Sequence, residues 1–276
     1  MSILESITPL ILTFNEANNI HRTLQRLTWA KQIIVIDSYS SDTTLDIVHL
    51  YPQVQVFQRK FDTHTNQWNY GLQQVKTEWV LSLDADYTLT DELIAEIDTL
   101  SKEPLADSYF IKFKYCVFGK PLQGTLLPPR EVLFKRDKAI YIDDGHTQLL
   151  QVNGKSVMLS SYIYHDDRKP LTRWLWAQDR YIIIEAKKLL ETPTQELSFG
   201  DRIRKQKILA PFAILFYCLI LNKGLLDGWA GCYYAFQRAL AEILLSIRLI
   251  EAEMNQYQSL ETRSLDVNTA TSLVTK

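Results

Sequence analysis

Two aspartates one residue apart, Asp84 and Asp86, close the apolar run Trp79-Val-Leu-Ser-Leu83. In an extended backbone alternate side chains point the same way, so both carboxylates would aim at one spot beyond the end of a strand. Paired hard oxygen ligands suit a divalent cation such as Mg2+ or Mn2+ that also holds a diphosphate. A bare Asp-x-Asp also fits a strand running into an Asp-rich turn, so the flanking sequence has to decide.

The elements that would position this pair read as alternating strands and helices. Pro9–Thr13, Ile33–Asp37, Val54–Phe57 and Trp79–Leu83 read as short strands, Ile33–Asp37 rich in β-branched residues. Between them lie helical faces: Ile20, Leu24 and Leu27; Leu45 and Val48; Trp68, Leu72 and Val75; and, after Asp91, Leu93, Ile97 and Leu100. This order predicts an α/β fold with a mostly parallel sheet covered by helices on both faces. Ligands bind such sheets at the carboxyl ends of the strands, where Asn15, Asp37 and Asp84 all fall.

Beyond residue 100 the alternation of Tyr109–Tyr115 predicts a half-exposed strand, and Val132–Phe134 and Ala139–Ile142 two more. Asn153-Gly154, between Leu149–Val152 and Ser156–Leu159, signals a hairpin. These strands extend the sheet into a mixed one. From Leu171 onward the pattern is helical, broken at Thr192-Pro193. It includes the uncharged run Ile208–Leu221, too short to span a bilayer comfortably, and a last helix over Trp229–Met254. The Ser- and Thr-rich tail is expected to fray. The predicted organisation is 1–170, 171–257 and a flexible 258–276.

The chain has 276 residues, 46% of them hydrophobic and 22% charged, as in a folded globular protein. A formal net charge of −2 argues against a nucleic-acid partner. Cys116, Cys218 and Cys232 are too scattered for a disulfide framework or a zinc site. The opening residues lack a signal-peptide pattern, so a cytoplasmic location is expected.

Three ordered motifs at strand ends carry a resemblance. Leu12-Thr-Phe-Asn-Glu16, Val35-Ile-Asp-Ser-Tyr-Ser-Ser-Asp42 and Leu83-Asp-Ala-Asp86 resemble the donor-binding half of family 2 glycosyltransferases. Gln67-Trp-Asn69, Gly145-His146, His165 and Gly224-Leu-Leu-Asp-Gly228 are similar to the subgroup that includes lipopolysaccharide core glucosyltransferases.

The resemblance implies a GT-A fold with a C-terminal helical extension. It implies an inverting, metal-dependent hexosyl transfer from a nucleotide diphosphate sugar, with UDP the expected nucleotide. The acceptor would be a cell-envelope glycan or glycolipid such as lipopolysaccharide core. Thr13, Phe14, Asn15, Glu16, Asp37, Gln67, Asn69, Asp84, Arg130 and Arg168 would bind the nucleotide sugar; Asp86, Asp84 and His165 would hold Mg2+ or Mn2+. Inversion needs a group to take the acceptor's proton, for which Asp144, Asp143 and His146 stand in that order. Thr147 follows His146, and Tyr87 follows the Asp pair, where relatives often carry glutamate.

Those two departures keep a catalytically silent sugar-nucleotide binder open. A polyprenyl-phosphate transferase is a further alternative. Basic residues Arg202, Arg204, Lys205, Lys207 and Lys223 border an aromatic-rich apolar segment, a pattern expected of a helix lying on the inner face of the cytoplasmic membrane. Packing on a second subunit, as in a homo-oligomer, is the plain alternative.

Overall fold

The computed structural model describes residues 2–100, 106–144 and 147–274, and omits the side chains of 144, 147 and 256–274. It divides into two compact units, residues 1–169 and 170–276.

The first unit is built on β1 (Ile7–Thr13), α1 (Ile20–Gln25), β2 (Ile33–Asp37), α2 (Thr44–Val48), β3 (Val54–Gln58), α3 (His64–Gln74) and β4 (Trp79–Asp84). It continues with β5 (Tyr87–Leu89), α4 (Asp91–Thr99), β6 (Ser108–Val117), β7 (Lys120–Pro121), β8 (Arg130–Lys135), β9 (Ala139–Asp144), β10 (Thr147–Val152) and β11 (Ser156–His165). The main sheet runs β3-β2-β1-β4-β8-β6-β11-β5. The pairs β3–β2, β2–β1 and β1–β4 are parallel, β8 joins β4 and β6 antiparallel, and β11 lies parallel to β6. This is the mixed α/β sheet expected of a GT-A fold.

Strand alternation builds both layers. Ile11, Ile33, Val35, Leu81 and Leu83 face a core shared with Leu24, Leu27, Leu93 and Ile97. Leu10, Ile34, Ile36 and Val80 face the other side, against Trp68 and Leu72 of α3. Burial on both faces is why these strands are continuous apolar runs rather than alternating ones. Gly71 lets α3 close on the sheet: a Cβ there would stand 2.7 Å from Leu10 Cδ1.

The hairpin signal at Asn153-Gly154 is corrected. β10 pairs antiparallel with β9, whereas β11 pairs with β6 and β5, so residues 153–154 connect two sheets. A different constraint explains the glycine. Asp107 N donates to Lys155 O at 2.7 Å, Lys155 N donates back to Asp107 Oδ2 at 3.1 Å, and the Asp107 side chain occupies the space a Cβ at 154 would need.

The second unit holds α5 (Leu171–Glu191), α6 (Phe199–Lys205), α7 (Leu209–Phe216) and α8 (Trp229–Val274). α5 stops at Thr192, before the proline, as a helix must. A π-helical turn, Tyr217–Leu221, extends α7. α8 continues to Val274, through the segment expected to fray. Ile182, Leu189, Leu197, Leu245 and Leu249 form this unit's core. No described helix is long and apolar enough to cross a membrane.

Candidate active site

The loops after β1 and β2 are zipped together at the carboxyl edge of the sheet. Asn15 sits at φ 57°, a left-handed conformation that asparagine tolerates better than most residues. Its N–H donates to Ser40 Oγ at 2.9 Å, and its Oδ1 accepts from Ser41 N at 2.8 Å. Glu16 N donates to Thr44 Oγ1 at 2.8 Å. Thr13 Oγ1 donates to Asp37 Oδ1 at 3.1 Å, while Phe14 is 44% exposed at the loop tip.

Asp37 is fully buried and also accepts from Ser40 N, Ser40 Oγ and Gln58 Nε2. A buried carboxylate needs such donors, and here the protein itself supplies them. Asp37 therefore shapes the loop that carries Ser40.

Gln67 and Asn69 depart from the pocket-lining role expected of them. Gln67 is fully buried: its Oε1 accepts from Arg59 Nη1 at 2.6 Å, and its Nε2 donates to Ser38 Oγ and Arg59 O. Asn69 pairs with the backbone of Tyr141 in both directions, at 2.8 Å and 3.0 Å, clamping α3 to β9. Trp68 stacks on the Tyr141 ring at 5.3 Å beside it. Both amides spend their polar groups on the protein.

The two aspartates diverge. Residues 85–86 form a turn, so the extended alternation that would align the carboxylates ends at Asp84. Asp84 Oδ2 lies 3.8 Å from Arg130 Nη1 and is half exposed. Asp86 turns inward, with Oδ2 3.2 Å from His165 Nε2 at the end of β11. Burial raises the Asp86 carboxyl, but the adjacent imidazole together with Lys169 and a backbone donor holds the group below its ordinary value. Burial likewise depresses His165, and Asp86 reverses that, leaving the ring more basic than usual.

Behind this pair lies a charged cluster whose bonding the sequence does not announce. Glu16 Oε1 meets Lys169 Nζ at 2.5 Å, and Asn19 Nδ2 bridges Glu16 Oε2 and Asp167 Oδ1. Burial pushes Glu16 up to about 7, against the pull of Lys169 and with a further push from Asp86. Arg168, expected to hold a diphosphate, donates Nε and Nη2 to Asp166 Oδ2, a carboxylate also 3.4 Å from Arg22 Nε. These contacts fix the segment following His165.

Tyr87 is buried with its ring 4.9 Å from Phe113 and 5.3 Å from His165. Burial, then Asp84, raise its phenol well above the usual range. Its hydroxyl accepts from Arg130 Nη1 at 2.8 Å.

Asp143 is exposed on β9, opposite Gln148 of β10. The Asp144 side chain and His146 lie outside the described residues.

Among the described residues no group of three His, Cys, Asp or Glu side chains is arranged to hold a metal ion, so the expected Asp84–Asp86–His165 set is not assembled. Asp86 and His165 are the two of the three that would hold a cation. Asp86 Oδ1 and His165 Nδ1 are buried without a hydrogen-bond partner, and Mg2+ or Mn2+ commonly takes one or two protein ligands and completes its shell from phosphate and water.

Residues 10–150 of the 276 match the sequence pattern described as Glycosyl transferase family 2, just over half the chain. The chain belongs to glycosyl transferase family 2. An uncharacterized glycosyltransferase of Rickettsia bellii (strain RML369-C) is 30% identical over 106 residues, 38% of this family 2 chain and 36% of the relative. The SPbeta prophage-derived glycosyltransferase SunS of Bacillus subtilis (strain 168) is 31% identical over 93 residues, 32% of this chain and 21% of SunS. The matches thus span 36% or less of these relatives' length. The crystal structure of S. aureus TarS 1-349 in complex with UDP-GlcNAc is similar with a TM-score of 0.48 and 18% identity, over 76% of this family 2 chain and 72% of that one.

Proposed function

We propose that this chain is an inverting glycosyltransferase that moves a hexose from a UDP-linked sugar to a cell-envelope glycan or glycolipid such as lipopolysaccharide core. The observation that carries the reading is the inward-turned Asp86 beside His165, each with an unpartnered buried atom. Family membership supports the same chemistry.

In this reading Thr13, Phe14, Asn15 and Glu16 form the nucleotide side of the site, and Asp37 keeps their loop in register. Asp84 and Arg130 meet the sugar and diphosphate. Asp86 and His165 would hold Mg2+ or Mn2+, which when bound supplies positive charge against the departing diphosphate. Asp144 takes the acceptor's proton, with Asp143 and His146 as the other candidates.

A lipid-linked acceptor agrees with the second unit's surface. Phe212, Phe216, Leu226 and Trp229 are 58–86% exposed on α7, the turn that follows it and the start of α8. We place that surface on an anionic membrane.

Hydrolysis and transfer assays with a panel of nucleotide sugars and Mn2+ test the proposal. Metal-dependent release of UDP from one donor is expected. Absence of both release and nucleotide binding across the panel rejects the reading in favour of a chain that does not handle sugar nucleotides. Binding without turnover would favour the silent binder.

A further inference from the structure

The residue after the aspartate pair is a tyrosine, and its hydroxyl joins two groups from separate strands. Tyr87 begins β5, the last strand of the main sheet, while Arg130 begins β8, three strands away. Between them Phe113 of β6 touches both. It packs on the Tyr87 ring at 4.9 Å, and the guanidinium carbon of Arg130 lies 5.9 Å from its ring centroid. Tyr87 is 3% exposed, so its hydroxyl has one available position. Arg130 Nη1 donates to that hydroxyl at 2.8 Å.

Asp84 by itself does not hold the arginine. The 3.8 Å ion pair joins two half-exposed side chains, and such pairs contribute little against solvent and side-chain entropy. A hydrogen bond to a buried, immobile hydroxyl is the stronger restraint, since the charged donor has a fixed acceptor. Arg130 contributes five N–H donors in a planar fork. Tyr87 takes one, and the guanidinium side chain remains 48% exposed at the edge of the site.

We propose that Tyr87 is a positioning residue: its hydroxyl sets Arg130 beside Asp84, so that the exposed part of the guanidinium fork meets the diphosphate of the nucleotide-sugar donor. This rests on the donor reading above. A carboxylate at position 87 would pair with the arginine and offset its charge, whereas the neutral phenol orients the cation and leaves its charge for the phosphate.

Titration calorimetry of UDP with Mn2+, together with donor-hydrolysis kinetics, tests this on the full chain as wild type, Tyr87→Phe, Arg130→Ala and the double variant. Tyr87→Phe keeps the ring and its packing. The expected result is a rise of about tenfold in the Kd for UDP and the KM for donor, with kcat within about threefold of wild type. Arg130→Ala has a similar or larger effect, and the double variant binds no more weakly than Arg130→Ala alone. Tyr87→Phe with wild-type affinity overturns the proposal, as do losses that multiply in the double variant. If Tyr87→Phe does not fold, the exposed Arg130 site still decides: unchanged UDP affinity in Arg130→Ala overturns the role. Wild type that binds no nucleotide diphosphate rejects the donor reading, and the positioning role with it. Wild type that binds, with both single variants unchanged, rejects the positioning role alone.

Discussion

Asp86 Oδ2 lies 3.2 Å from His165 Nε2, and the remaining polar atom of each, Asp86 Oδ1 and His165 Nδ1, is buried without a partner. Buried polar atoms are normally satisfied, so on the proposed reading this pair is where a bound cation would act. Asp86→Asn keeps the volume and removes the charge. Metal-dependent donor hydrolysis should fall by about 100-fold or more, given the several kcal/mol a cation contributes to charge stabilisation. His165→Ala should raise the Mn2+ concentration needed for half-maximal rate. Wild-type Mn2+ dependence in both variants would reject the assignment.

Glu16 predicts a pH effect of definite sign. Its folded value of about 7 stands above the model-peptide 4.5 because burial disfavours the charged form. A group raised on folding contributes stability that is complete below its unfolded value and is lost as pH rises through its folded value. Glu16→Gln has no such titration. Urea midpoints should therefore move in favour of the Gln variant, relative to wild type, between pH 4.5 and 7. A constant difference across that window would contradict the burial argument.

Asn69 is predicted to matter for stability. Its amide satisfies both the N–H and the C=O of Tyr141. Asn69→Ala leaves two backbone groups to find other partners and should cost about 1–3 kcal/mol in urea unfolding. A change within error would show that the clamp between α3 and β9 contributes nothing.

The cysteines should separate by reactivity. Burial pushes the Cys116 thiol up to about 12 and also raises Cys218, while Cys232 is partly exposed. A thiol-specific disulfide reagent at pH 8 should label Cys232 first, with the other two reacting only after denaturation. Rapid labelling of Cys116 in the folded protein would contradict its burial.

Membrane contact has a direct test. The full chain should float with vesicles containing anionic lipid, and Phe212→Asp together with Leu226→Asp should abolish flotation without changing the far-UV circular dichroism. Wild type remaining at the bottom of the gradient, or dimerising through this face in solution, would count against the bilayer.

Local signals were strong where the physics is local. The continuous β-branched run Ile33–Asp37 and the helical spacing of Trp68 and Leu72 identify elements because such patterns are written within a few residues. Asn153-Gly154 misled for the same reason. A turn signal says nothing about which strand pairs with which, and the glycine answers to Asp107, far away in the sequence. Gln67 and Asn69 read as pocket polars, yet their partners, Arg59, Ser38 and Tyr141, are set by packing.

By itself the sequence determined the βα order, the strand ends where polar residues gather and the Asp pair, all consequences of periodicity along the chain. Tertiary structure alone decided that Asp84 turns to Arg130 while Asp86 turns to His165, and that Tyr87 holds the arginine. Those pairings join residues on different strands, and the direction of each side chain depends on the turn at 85–86 and on the sheet order that places β11 and β8 where they can be reached.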